Sequence, residues 1–173
     1  PNVEVVVQEG NQRAMTEMLR EDQLDLMLCN LVNQEGELEY EHLCWDPVIF
    51  LVQSAHPCCR YARYRDTFYH PWIDLREFEQ EIFILQHQGQ SLRQYSDQLL
   101  EEAGLSPQRI TQIRNIETAA QMAANGLGVS FCLESYFRHM MFIQPPYRFS
   151  VGERQLAADF SAAYRRGRQL PEY

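Results

Sequence analysis

The sequence predicts an α/β fold in which strands and helices alternate along the chain. Short apolar runs, several of them apolar on both faces, are separated by amphipathic stretches with helical spacing. Repetition of strand, helix and strand favours parallel pairing with right-handed crossovers. At 173 residues, 45% of them hydrophobic and 23% charged, the chain is long enough to bury the core of a globular protein.

Each element follows from the position of the apolar side chains. Six runs have the length of strands, at residues 3–7, 24–28, 48–52, 82–85, 110–113 and 128–132. Three stretches place their apolar residues on one helical stripe, at residues 12–21, 92–103 and 116–124. Residues 54–74 lack periodicity and are predicted to surround a crossing between two lobes, and a second crossing is expected just after Cys132.

The stretch "AANGLGVSF", residues 123–131, contains two glycines and resembles a phosphate-binding loop. A dinucleotide fingerprint needs the order strand, glycine turn, helix, and here a helix precedes the glycines. Phe131 occupies the position of the third glycine. We therefore interpret Asn125 and Gly126 as a left-handed helix stop, and Gly128 as the residue that lets a strand start close to its neighbours.

The charge pattern excludes several functions. The net charge is −9 and all fifteen basic residues are arginine, so this segment has no electrostatic footprint for nucleic acid or an anionic membrane. The absence of lysine excludes a P-loop, a pyridoxal phosphate Schiff base and an aldolase-type amine. No apolar run approaches the ~20 residues of a membrane span, and the chain is expected to be soluble and cytoplasmic.

The cysteines predict neither a disulfide framework nor a metal site. They form an odd set without a Cys-x-x-Cys pair, so we expect mostly buried thiols, no metal and no cofactor. The stretch "HPCCR", residues 56–60, leaves metal binding or redox sensing by the adjacent pair as minor alternatives. The five cysteines are Cys29, Cys44, Cys58, Cys59 and Cys132.

Three predicted helices begin with capping residues directly after strands. Asn11 precedes the first, Ser91 with Gln94 forms a capping box at the second, and Asn115 with Thr118 begins the third. Helix starts gather at the carboxyl edge of an open α/β sheet, where their N–H groups favour anions. With the neutral polar loop "QHQGQS" at residues 86–91, this predicts a cleft for a small organic acid. The alternative is that each residue is only a cap.

An enzyme interpretation rests on the stretch "GQSLR", which imitates the nucleophile elbow of hydrolases. Ser91 would be the nucleophile, with Asp97 and His139 in the order that such a triad requires. Arg93 replaces the second glycine, which a tight elbow needs for close packing. His87 is a candidate general base, or a hydrogen-bond donor to a ligand.

Taken in order, several pieces of the sequence resemble the effector-binding domain of LysR-type transcriptional regulators. They are "PNVEVVVQEGN" followed by a helix and "LDLML", "LEYEHLCWDPVIFLVQSAHP", "WIDLREFEQEIFIL", "LRQYSDQLLEEAGLSP" and "IETAAQMAANGLGVSF". The resemblance implies a two-lobed type 2 periplasmic-binding-protein-like fold with a hinged ligand cleft. The first lobe would comprise residues 1–52 and 134–173, and the second residues 53–133.

The resemblance also implies a site and partners. The domain would bind a small-molecule effector between its lobes and act on DNA through a winged helix-turn-helix upstream, as a homodimer or homotetramer. We expect the chain to be cut at both ends, with a strand and helix before Pro1 and a terminal helix at "RRGRQLPEY". The alternative is a solute-binding receptor of a transporter, which shares the fold. The ligand-binding candidates are Asn11, Asn30, His87, Gln88, Gly89, Gln90, Ser91, Asn115 and Thr118.

Overall fold

The computed structural model describes residues 4–167 of the chain. The chain divides into two compact units. Unit 1 runs up to Trp45 and resumes at Asp159, and unit 2 comprises Asp46–Ala158. Two long strands, β2 (Leu38–Val52) and β7 (Ala157–Arg165), each contribute residues to both units.

Unit 1 is built from helix α1 (Gln12–Arg20), strand β1 (Met27–Leu31) and parts of β2 and β7. Strand β1 pairs antiparallel with β7, and Met27 lies opposite Ala163. The apolar stripe of α1 is buried in a small core that residues of β1, β2 and β7 complete. The buried residues of this core are Met15, Leu19, Met27, Leu38 and Ala163.

Unit 2 contains a mixed sheet in the order β2-β5-β3-β4. Strand β3 (Ile82–Leu85) runs parallel to β4 (Arg109–Gln112) and to β5 (Val129–Leu133). Strand β2 is antiparallel to β5 and to the short β6 (Tyr147–Phe149). Helix α2 (Ser91–Glu102) follows β3, and α3 (Ile116–Ala124) follows β4. The parallel part of the prediction is confirmed for these three strands.

Alternating side chains of the unit 2 strands form two apolar clusters. One is aromatic: the Phe50 ring lies 5.1 Å from Phe78 and 5.1 Å from Phe131, centroid to centroid. The other packs Ile49, Leu51 and Cys132 against alanines of α3. Because successive strand residues point to opposite faces, both faces of the central strands are buried.

Two predicted strands of unit 1 differ from the structure. The predicted strand at residues 3–7 is wrong over its described part, since residues 4–10 form no regular structure and Val5–Val7 are 78–80% exposed. A strand needs a neighbour to pair its backbone groups, and within residues 4–167 none pairs with this segment. The second strand lies at Met27–Leu31 rather than at 24–28, because the turn after α1 continues through Asp22, whose φ is 56°.

Several elements were not predicted. They are the first half of β2, strands β6 and β7, the short helix α4 (Glu134–His139), and 3-10 turns at Pro57–Tyr61 and Leu75–Phe78. The first half of β2 is mostly exposed and polar, so it lacks the apolar run that marks a strand. The terminal helix expected at the C-terminus lies mostly outside the described residues.

The two glycines of "AANGLGVSF" act as the sequence predicts. Gly126 has φ +74°, just after the end of α3, in the left-handed conformation that stops a helix. Gly128 has φ +153°, and a Cβ there would clash with the carbonyl oxygen of Ile82. The absent side chain therefore lets β5 begin directly beside β3. Among the described residues, none of the helices has the length and apolar character that a membrane crossing requires.

Candidate functional site

The loop between β3 and α2 is a tight turn tied to the start of α3. The Gln90 N–H donates to the His87 carbonyl at 3.2 Å, and Gly89 takes φ +89°. The Gln90 side chain then makes two hydrogen bonds. Its Oε1 accepts from the His87 N–H at 3.1 Å, and its Nε2 donates to the Arg114 carbonyl at 3.1 Å. Two parts of the predicted site, residues 87–91 and the α3 start, are thus brought together.

Ser91 is not the N-cap that the sequence predicts. Helix α2 begins one residue earlier, because the Gln90 carbonyl already accepts from the Arg93 N–H at 3.1 Å and the Gln94 N–H at 3.4 Å. Gln90 is the N-cap and makes no side-chain capping bond. Ser91 is half-buried, and its hydroxyl makes no hydrogen bond with any residue in the described part of the chain. It is therefore available to a ligand.

The start of α3 is capped as predicted. Asn115 Oδ1 accepts from the Thr118 N–H at 2.8 Å and from the Thr118 hydroxyl at 3.2 Å. Both side chains are exposed. The oxygen of Asn115 is thus engaged in holding the helix start, and these two residues orient the first turn of α3.

A cavity of about 510 Å³ adjoins this helix start. Its size falls in the range of small-molecule sites. Arg114 and His139 supply the basic side chains of the lining and Glu117 the acidic one. Within the described residues, the Arg114 guanidinium and the His139 imidazole form no ion pair. The cavity is lined by Arg114, Asn115, Ile116, Glu117, Ser135, Tyr136, His139 and Met140.

Helix α4, which forms one wall of the cavity, is fixed at its start by two carboxylates. Asp46 accepts from the Ser135 N–H at 3.0 Å and also from the Ser135 hydroxyl. Glu134 is 6% exposed, and its carboxylate lies 2.9 Å from His70 Nε2 and 2.9 Å from an Arg148 guanidinium nitrogen. These contacts fix the start of α4, the helix that contributes Ser135 and His139 to the cavity lining.

The ion pairs of Glu134 determine its protonation. Burial alone would raise the pKa of this carboxyl, but the hydrogen bond from His70 and the charges of His70 and Arg148 lower the pKa below its ordinary value. The ionised form is therefore favoured in the folded protein. Arg138, one turn along α4, adds a longer contact at 3.4 Å.

Gln86, the first residue after β3, is fully buried with an unsatisfied side chain. It is 0% exposed, and neither its Oε1 nor its Nε2 has a hydrogen-bond partner among the described residues. Only its backbone is held, by Arg93, whose guanidinium donates to the Gln86 carbonyl at 3.0 Å. Buried amides are rarely left unpaired, because the cost is about 1–3 kcal/mol.

The two candidates in unit 1 differ in their surroundings. Asn11 is the N-cap of α1, and its Oδ1 accepts from the Ala14 N–H at 2.9 Å, as predicted. Asn30 lies within β1, opposite Phe160 of β7. Its Oδ1 is buried and has no partner in the described part of the chain. Asn30 therefore has an open acceptor, whereas Asn11 has an engaged one.

The geometry does not favour the hydrolase alternative. Asp97, which would orient the histidine of a triad, instead accepts from Arg93 Nε at 2.7 Å. His139 lies on α4 and lines the cavity beside Asn115. Arg93, which replaces the second glycine of the elbow pattern, has a structural role instead. It is 8% exposed, and its guanidinium donates to the Gln86 carbonyl, which links α2 to the end of β3.

The cysteines are free thiols: Cys132 is buried, Cys44 is exposed, and the other three are half-buried. Burial raises the pKa of Cys58 and Cys59 and raises that of Cys132 to about 12. A thiol with a raised pKa is a poor nucleophile at neutral pH, which does not favour redox sensing by the adjacent pair. Over residues 4–167, no cluster of three or more His, Cys, Asp or Glu side chains is placed to hold a metal ion.

Sequence reasoning missed three residues at this site. Arg114 directly precedes a predicted cap at the end of a strand, a position that could have identified it. Gln86 belongs to the polar loop, but its burial could not be seen before β3 was placed between β4 and β5. His139 was considered only as a triad member, because α4 gave no helical pattern long enough to predict.

The family assignment comes from the whole chain. A family model described as the LysR substrate binding domain matches residues 1–173. Among relatives, the chain is similar to an uncharacterized HTH-type transcriptional regulator, YybE of Bacillus subtilis, with 28% identity over 130 residues, 75% of this chain and 41% of the relative. It is also similar to CysL of the same organism, with 25% identity over 80% of this chain and 43% of the relative. The chain thus spans about two-fifths of the length of these relatives.

Solved structures agree on the fold. The effector-binding domain of QuiR in complex with shikimate superposes with a TM-score of 0.73 at 19% identity, covering 94% of this chain and 72% of that one. The CcmR regulatory domain of Synechocystis in complex with 2-PG gives 0.75 at 17% identity, covering 93% and 73%. The BenM effector-binding domain with benzoate gives 0.74 at 17% identity, covering 94% and 70%. The fold is the two-lobed, periplasmic-binding-protein-like fold of these domains, and the chain belongs to the LysR substrate-binding-domain family.

Proposed function

We propose that this chain is the effector-sensing domain of a LysR-type transcriptional regulator and that its effector is a small organic acid. The effector would control DNA binding by a separate N-terminal domain, in an oligomer and in the cytoplasm where that DNA lies. The lobe boundaries that the resemblance implies, at residues 52–53 and 133–134, belong to the same proposal. The domain would bind its ligand without converting it.

The observation that carries the acid proposal is the start of α2. This twelve-residue helix has no side-chain cap, and its first residue, Ser91, offers a hydroxyl with no partner among the described residues. The N-terminal N–H groups and the positive end of the helix dipole favour a carboxylate there. The hydrogen bond from Gln90 to the Arg114 carbonyl holds this turn beside the start of α3, so a second helix N-terminus lies nearby.

The remaining candidates take supporting roles. His87, Gln88 and Gly89 form the turn beside Ser91, and its exposed or half-buried positions admit a ligand. Thr118 and Asn115 orient the first turn of α3. Asn11 and Asn30 are proposed contacts on unit 1, of which Asn30 has the open acceptor.

Named ligands of the structural relatives support the acid class. Shikimate, benzoate and 2-PG are the molecules bound in the three complexes above. The regulator names of the sequence relatives favour a DNA-linked function over the transporter alternative.

The test is calorimetric titration of the chain with a panel of organic acids, with Ser91→Ala as the variant. Since Ser91 caps nothing, we expect the free energy of unfolding to stay within about 0.5 kcal/mol. Acid binding should weaken by about 1–3 kcal/mol, the cost of leaving polar groups unpaired. Ser54→Ala, at an exposed serine outside the site, is the control and should bind as the unmodified chain does.

Gln88→Ala provides an independent check of the same loop. Gln88 is exposed and lies in the turn before α2, so its loss should leave stability unchanged and weaken binding if the turn contacts the acid. Unchanged affinity in both the Ser91 and Gln88 variants would remove this loop from the site.

A further inference from the structure

The cavity beside α3 has basic side chains that the acid site just proposed does not use. Arg114, the residue before the α3 cap, and His139, the last residue of α4, both line it. Two separate elements therefore each contribute a basic residue to the lining of the same space of about 510 Å³. Glu117 is the carboxylate in the lining, and it does not lie within ion-pair distance of Arg114 among the described contacts.

Neither basic side chain is paired with an acidic side chain within the described residues. The chain carries 24 acidic and 15 basic residues, and seven arginines within residues 4–167 form ion pairs with carboxylates, Arg20, Arg93 and Arg148 among them. Arg114 and His139 have no ion pair or side-chain hydrogen bond within residues 4–167. Only the backbone carbonyl of Arg114 is engaged, by Gln90.

That engagement connects the cavity to the acid site. The Gln90 hydrogen bond holds the residue bearing the guanidinium against the turn that leads into Ser91. A ligand whose first acidic group lies at the start of α2 is thus placed next to the chain segment that carries Arg114. On this basis we propose that the effector carries two acidic groups and that Arg114 and His139 bind the second one.

The chemistry of the two side chains suits a compact second anion. The arginine fork donates two parallel hydrogen bonds to a carboxylate or a phosphate, and the imidazole adds one more N–H. A dicarboxylate and a phosphorylated monocarboxylic acid share this requirement. The inference rests on the proposed function, because it assigns the second group of the same ligand.

The experiment compares acids that share a skeleton and differ in the second charge. Calorimetric titrations of the full chain would use succinate against butyrate for the carboxylate, and 2-phosphoglycolate against glycolate for the phosphate. We expect the dianion of at least one pair to bind about tenfold tighter or more, the effect of a charge-assisted hydrogen-bond pair. The pair that shows the advantage identifies which anion the cavity takes.

Three variants locate the effect. Arg114→Gln and His139→Gln should each reduce the dianion advantage while leaving the affinity for butyrate and glycolate unchanged. Arg154→Gln is the matched control, because Arg154 is another exposed arginine of unit 2 and does not line the cavity. Both arginine variants remove one positive charge, so only a local contact distinguishes them.

The outcomes separate this inference from the proposed function. Monoanions that bind through Ser91 without any dianion advantage, or an advantage that survives Arg114→Gln or His139→Gln, would overturn the inference and leave the acid site standing. Equal losses in Arg114→Gln and Arg154→Gln would overturn it as well, since the effect would then be general charge. A chain that binds none of the four acids at millimolar concentration would refute both.

Discussion

Replacing Gln86 with methionine should stabilise the protein, although most substitutions in a core destabilise it. The Gln86 amide is fully buried, and neither of its polar atoms has a partner among the described residues. Burying such a group without hydrogen bonds costs about 1–3 kcal/mol. Methionine is also unbranched and of similar length, and it adapts to irregular packing. We therefore expect Gln86→Met to raise the free energy of unfolding by about 1–3 kcal/mol.

Urea denaturation followed by circular dichroism would measure the change. For a chain of this size each kcal/mol corresponds to roughly 2–4 °C in the melting temperature, so a thermal melt checks the same number. Ser130→Ala is the matched control. Its hydroxyl is equally buried but donates to the Ile84 carbonyl at 2.8 Å, so its removal should cost about 1 kcal/mol. The two substitutions of buried polar groups should differ in sign.

Unfolding of Gln86→Met at a lower urea concentration than the unmodified chain would contradict this expectation. The amide would then be satisfied in solution, and its burial would be no cost. If the variant is stabilised and also binds acids less tightly, the amide is retained for the ligand. Stabilisation with unchanged binding would place Gln86 outside the site.

Three further outcomes follow from the structure. Gly128→Ala should lower the free energy of unfolding by about 3 kcal/mol or more, because its Cβ would clash with the β3 backbone at a positive φ. In the control Gly104→Ala the new Cβ meets open space, and the loss should be about 1–2 kcal/mol. Urea denaturation of both variants measures the difference. Cys132, with a pKa near 12 and a buried thiol, should resist an aromatic disulfide reagent at pH 8 until the chain unfolds, while the exposed Cys44 should react at once. The pKa of Glu134 is lowered in the folded protein, so its contribution to stability is present above the ordinary carboxyl pKa and is lost as the pH falls through the lower pKa of the folded state. Glu134→Gln should therefore lose less stability on acidification than the unmodified chain. The same dependence of stability on pH in both proteins would contradict this.

The sequence predicts unit 2 better than unit 1 for a physical reason. In unit 2 the central strands are buried on both faces, so their apolar runs stand out and β3 is located to the residue. In unit 1, strand β1 pairs antiparallel with β7. The first half of β2 is mostly exposed and contains many polar residues, so it has no continuous apolar run by which a strand could be recognised. Val5–Val7 show the opposite error. Their apolar run predicts a strand, but they are exposed and no strand of the described chain pairs with them.

The candidate site could be predicted only in part from local signals. Caps depend on side chains a few residues apart, so Asn11 and Asn115 were identified correctly from the sequence. Ser91 was misassigned because the capping-box pattern fits, while in the structure Gln90 is the N-cap, through bonds to its backbone carbonyl, and Ser91 is the first residue of the helix. Arg114 and His139 meet only through the fold, since 24 residues of chain separate them and α4 is six residues long.

The departures from good local structure occur together around one turn. Helix α2 lacks the side-chain cap that α1 and α3 have, and Gln86, the residue after β3, buries an amide with no hydrogen-bond partner within residues 4–167. Each costs the folded chain stability, about 1 kcal/mol for a missing cap and more for a buried amide. A protein selected for stability alone would have a cap at residue 90 and an apolar side chain at residue 86. Both costs fall next to Ser91, whose hydroxyl has no partner among the described residues, at the helix start where we propose that the acid binds; hydrogen bonds from the free N–H groups of that start to the acid would replace the missing cap.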